Sequence, residues 1–218
     1  TDLRMKALYS PRNILLLIIA FVMGFCVMSL EMIGGRFLSP YFGSSIEIWG
    51  AIIGSTLGAL TVGYFMGGFL ADKYSSAKTL ALITLPAAVF IAILPFFVRP
   101  VADTLAVTIE NYRLGGLIAA CVLLCPPLIF MAAYSPFIIR LVLINAEDSG
   151  KVSGSVYGIS NLGSIVGTLF TTFIWIPAMG SRAITFCLAF LVAMCLIALF
   201  LFVPDDEEET DGVPARTG

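Results

Sequence analysis

Apolar positions in this chain run in long, unbroken stretches. Six of them reach the roughly 20 residues that a bilayer crossing takes. They lie at about 13–35, 47–71, 77–98, 115–140, 152–177 and 182–203. The pattern predicts an all-α, polytopic bundle of six transmembrane helices spanning residues 1–203. The connections are short except 99–114. There Arg99, Asp103, Glu110 and Arg113 surround Val101, Leu105, Val107 and Ile109, the pattern of a short helix lying at the interface. The polar, basic start, residues 1–12, precedes an apolar run too long for a signal peptide, so the first stretch is expected to be a retained span.

Two spans carry glycine at helical spacing. Span two has Gly50, Gly54 and Gly58, then Gly63 and Gly67. Span five has Gly154 with Gly158, Gly163 with Gly167, and Ser160 with Ser164 and Thr168. Small residues four apart let helix backbones approach in a bilayer. Spans two and five are therefore expected to be the two close-packing helices, at equivalent positions in a three-plus-three arrangement. Pro126-Pro127 is expected to break span four.

Composition removes the soluble alternative. The chain is 59% hydrophobic and 12% charged, with a mean hydropathy of +1.01. A soluble domain carries about 25% charged residues. The lipid bilayer is thus the first partner, and no nucleic-acid partner is expected. Basic residues set the orientation. Arg4, Lys6, Arg12, Lys73, Lys78, Arg140, Lys151 and Arg216 fall on one side, against Arg36, Arg99, Arg113 and Arg182 on the other. That bias puts both termini in the cytoplasm of a multi-pass plasma-membrane protein. The segment Asp205–Asp211 is almost wholly acidic, and residues 204–218 are expected to be a disordered cytoplasmic tail.

The chain has no histidine, which removes His-based acid–base catalysis and His metal sites. The five cysteines, Cys26, Cys121, Cys125, Cys187 and Cys195, all lie inside apolar runs and read as small core residues. No metal site, cofactor or catalytic residue is expected.

The candidate chemistry rests on polar residues at membrane depth, which are costly and mark functional sites by default. Glu31 lies toward the outer third of span one. It is either a cation or proton site, or half of a structural ion pair with Arg36, five residues on. Glu47 opens span two, where an acid also stabilises the helix dipole. Asn161 sits mid-span among the glycines of span five, and Tyr134 and Ser135 form a polar patch before Pro136.

These residues carry two resemblances. Gly68-x-x-x-Asp72-Lys73 resembles the gate-like loop between helices two and three of the major facilitator superfamily. More of the chain resembles the membrane half of fused major-facilitator/spermidine-synthase proteins. The matching segments are Leu30–Gly43, which reads LEMIGGRFLSPYFG, and Gly154–Arg182, with its YGISNLGS core and PAMGSR end. The resemblance implies half of a facilitator fold and an association with polyamine metabolism. The family's aminopropyltransferase domain has no counterpart in the residues after Val203, so no catalytic residue carries over.

Two functions follow as expectations. One is transport or binding of a small cationic solute such as a polyamine, by a homo-oligomer or with a partner subunit. The other is a non-transporting membrane anchor for a separately encoded soluble enzyme. An enzyme in its own right finds no catalytic constellation here.

Overall fold

The computed structural model describes residues 10–142 and 149–203. The expected acidic tail lies outside them. Among the described residues there is no strand, and six helical spans are long and apolar enough to cross a membrane.

Helix α1 (Pro11–Phe42) starts where Ser10 Oγ accepts the Asn13 N–H at 3.3 Å, with Pro11 in the first turn, where no N–H is missed. It runs straight through Gly34-Gly35 and ends only at Gly43, whose φ of +80° a side chain would resist. The helix thus runs past the end expected for span one, at about residue 35. Helix α2 (Ile46–Lys73) follows directly. Gly68, Asp72 and Lys73, expected in a gate-like loop, are the last turns of α2, and Lys73 Nζ sits 5.1 Å over the Tyr74 ring.

Helix α3 (Ala77–Thr108) absorbs most of the expected interfacial helix. Its prolines Pro86, Pro95 and Pro100 are all tolerated within the helix. Span four is α4 (Tyr112–Ala132) and α5 (Tyr134–Val142). The break falls at Ala133, not at Pro126-Pro127, through which α4 continues. Span five is α6 (Ser149–Phe170), a π turn (Thr171–Trp175) and α7 (Ile176–Ala178). Span six is α8 (Ser181–Phe202).

Helix α1 packs along α6, α2 along α4 and α3 along α8, whereas α2 and α6 form no seam with each other. The glycines explain the first two pairings. A Cβ at Gly163 or Gly167 would overlap the Phe21 or Phe25 carbonyl of α1, and one at Gly24 the Ser160 carbonyl of α6. A Cβ at Gly63 would overlap the Ile129 carbonyl, and one at Gly67 would lie 2.6 Å from Ala133 Cα. Spans two and five are close-packing helices, but with spans four and one. Gly50, Gly54, Gly58, Gly154 and Gly158, expected at the same contact, have nothing within 4 Å of a built Cβ. They face away from the bundle.

Hydroxyls cross-link the α1–α6 seam. Ser164 Oγ donates to the Gly24 carbonyl at 3.3 Å, Ser29 Oγ to the Gly167 carbonyl at 3.4 Å, and Thr171 Oγ1 to Ser29 Oγ at 2.8 Å. Phe25, Phe170 and Trp175 pack against one another beside the seam, with ring centroids 5.2–6.0 Å apart.

Candidate functional site: two cavities on one seam

The site grows from the face of α1 that looks onto α2 and α6. Gly24, Val27 and Met28 line a central cavity of about 160 Å³ together with Leu60 and Tyr64 of α2, Tyr134 of α5, and Ser160, Asn161 and Ser164 of α6. One to two turns further along α1, Met32, Gly35, Arg36 and Ser39 line a distal cavity of about 510 Å³. Its other walls are Ser44, Ile48, Trp49 and Ile52, with Thr172 and Ile176. Glu31 and Thr56 line neither cavity; in level they fall between the two linings, Glu31 between Met28 and Met32 on α1 and Thr56 between Ile52 and Leu60 on α2.

Glu31 is 7% exposed. At 1.5 Å per residue it lies about 16 Å down α1 from Phe42, and Thr56 about 15 Å down α2 from Ile46. The two side chains therefore meet at one level, inside a hydrocarbon core about 30 Å thick. Thr56 faces Glu31 but falls short of hydrogen-bonding geometry. Its hydroxyl is fully buried and unpartnered.

Arg36 does not neutralise Glu31. Its Nη1 donates instead to the Ile176 carbonyl at 2.7 Å, tying the far end of α1 to the helix that follows the π turn. No cation among the described residues pairs with Glu31. Glu47 stands apart at the far end of α2, where its Oε1 lies 3.1 Å from Arg113 Nη2.

The central cavity brings together two residues flagged from sequence, Tyr134 and Asn161. The buried Tyr134 hydroxyl hydrogen-bonds Ser160 Oγ, which fixes α5 against α6 beside the Ala133 break. Nothing in the sequence marks Thr56, Ser160, Ser164, Tyr64 and Thr172 as site residues. Ser160 and Ser164 stood out only as small residues at helical spacing, a signal that does not separate packing from lining. No family model matches the chain, and no curated protein or solved structure resembles it detectably.

Proposed function

We propose that this integral membrane protein binds or transports a small cation, with Glu31 as its counter-charge. One observation carries the reading: a carboxylate buried in the bundle, with no paired cation among the described residues, at the level between two cavities. Desolvating an ion costs several kcal/mol unless a partner returns it. A cation beside Glu31 returns it, and the Thr56 hydroxyl offers it a second oxygen. The central cavity adds the hydroxyls of Tyr64, Tyr134, Ser160 and Ser164 and the amide of Asn161, all suited to an ammonium group or a dehydrated monovalent ion.

The substrate class we favour is a polyamine, from the resemblance of Leu30–Gly43 and Gly154–Arg182 to the membrane half of fused major-facilitator/spermidine-synthase proteins. The seams agree with a half-facilitator arrangement. Shifting by three spans exchanges the pairing of spans one and five with that of spans four and two. We place the chain in the plasma membrane with both termini cytoplasmic, from the bias of basic residues. The outward glycines of α2 and α6 leave room for a second copy or a partner subunit to approach.

Spermidine binding to the purified protein tests the reading. Glu31→Gln keeps the shape and removes the charge, so affinity should fall about tenfold or more, the worth of one charged contact. Glu47→Gln should leave it unchanged. Full spermidine binding by a folded Glu31→Gln protein would remove Glu31 as the site.

A further inference from the structure

The distal cavity has a charge character opposite to that of Glu31. Arg36 is the one charged residue on its lining. Arg36 is exposed, and its hydrogen bond to the Ile176 carbonyl uses one of five guanidinium N–H donors and leaves the others for a ligand. Ser39, Ser44 and Thr172 add hydroxyls to the walls. Thr172 Oγ1 is buried and has no hydrogen-bond partner. Gly43 and Ser44, at the rim, bring in the start of α2. The α2 N-cap, Ser45, makes no side-chain capping bond, and the one acid of the first turn, Glu47, sets its charge against the N-terminus, so the anion-binding charge of the cavity is that of Arg36.

Both acids near this cavity lie off its lining. The Glu47 carboxylate turns to Arg113, and Glu31 sits one turn deeper. The remaining walls, Met32, Ile48, Trp49, Ile52 and Ile176, are apolar. Trp49 lies flat over the space left by Gly35, where a Cβ would come 2.8 Å from its ring.

We infer that the distal cavity is an oxyanion site. It takes a carboxylate or phosphate on Arg36 and the hydroxyls, with a short apolar group against Trp49 and Ile52. A planar guanidinium matches either anion through two parallel N–H bonds. A volume of about 510 Å³ is in the range of small-molecule sites. The same headgroup chemistry comes from a soluble carboxylate or from a phospholipid, because Arg36 lies only about 9 Å down α1 from its end. The inference is independent of the cation reading, since it uses neither Glu31 nor the central cavity.

Trp49 supplies the readout. The chain has two tryptophans, and Trp175→Phe leaves Trp49 as the sole reporter. The full chain in phospholipid-free detergent is titrated with butyrate and with inorganic phosphate, then reconstituted with and without phosphatidylglycerol. A saturable change in Trp49 emission is expected, weakened about tenfold or more by Arg36→Gln, as for loss of a charge-assisted pair. Arg113→Gln should leave it unchanged. Ser44→Asp, which puts a negative charge at the rim without touching Arg36, should also weaken it and serves if Arg36→Gln fails to fold. A response to butyrate or phosphate assigns a soluble anion. A response to phosphatidylglycerol alone, lost with the same substitutions, assigns a lipid headgroup. No response to any of the three, or one undiminished by both substitutions, overturns the site.

Discussion

Thr56 separates packing from binding better than any other single position. Its hydroxyl is buried beside Glu31 without a hydrogen-bond partner, so it adds no stabilising bond to the fold. Thr56→Val keeps the volume and removes the hydroxyl. Thermal unfolding should move by no more than about 1 kcal/mol, or show a gain, while spermidine affinity falls. A large loss of stability with unchanged affinity would make Thr56 a structural residue. The glycines give a parallel contrast. Gly163→Ala drives a methyl into the Phe21 carbonyl and should cost about 1–3 kcal/mol. Gly54→Ala meets open space and should be neutral or slightly favourable in detergent. Glu31, Tyr134 and Asn161 were legible in the sequence because each is a polar residue in an apolar run. The fate of Arg36 was not. Five residues along a helix turn a side chain about 140° around the axis, so proximity in sequence left Arg36 facing another cavity. Thr56 was invisible for another reason: a threonine in a span usually bonds its own backbone, as Thr61, Thr84 and Thr168 do here.

At the scale of elements, helix ends are set by caps more than by the punctuation inside them. Gly34-Gly35 leaves α1 intact because both glycines are packed, under Leu124 and Trp49. Pro126-Pro127 leaves α4 intact, while the break at Ala133 falls where Pro136, in the first turn of α5, has no N–H for the Ala132 carbonyl that ends α4. Helix α4 begins at Asn111, whose Oδ1 accepts the Arg113 and Leu114 N–H groups at 3.1 and 3.4 Å. Asn111→Ala should therefore cost about 1 kcal/mol, seen as a lowered melting temperature in detergent. An unchanged melting temperature would mean that lipid or solvent satisfies those donors as well. The six spans themselves were legible from apolar run length alone. Their ends were not, because a helix continues past the hydrocarbon boundary wherever its backbone stays bonded.

At the scale of the whole molecule, six crossings return the chain to the side on which it began. The Gly43–Ser45 turn and the Tyr74–Ser76 turn then lie on opposite faces of the membrane. Cysteines introduced at Ser44 and Ser76, in a background without the native five, should label from opposite sides with an impermeant reagent. Labelling of both from one side would sink the topology. The sequence identified two glycine-rich spans but paired them with each other. A small-residue stripe tells that a backbone is approached, not by which helix. Only the three-dimensional arrangement sorts Gly63, Gly67, Gly163 and Gly167 from the five glycines that face outward.

The π turn at Thr171–Trp175 has a consequence for the phase of span five. Each residue advances an α-helix by about 100°, and a π turn takes up one residue beyond the α-helical count. Below it, the helix phase is set by the fit of Gly163 and Gly167 on α1. Above it, the phase is offset, and that offset presents the Ile176 carbonyl to Arg36. Removing one residue from the turn would restore a single phase along the span. Gly163 would keep its contact, the Ile176 carbonyl would rotate away from Arg36, and the two ends of the helix could no longer satisfy α1 together. The turn lets one helix meet two separate geometric demands, tight packing near the membrane centre and a hydrogen bond to a guanidinium near its surface.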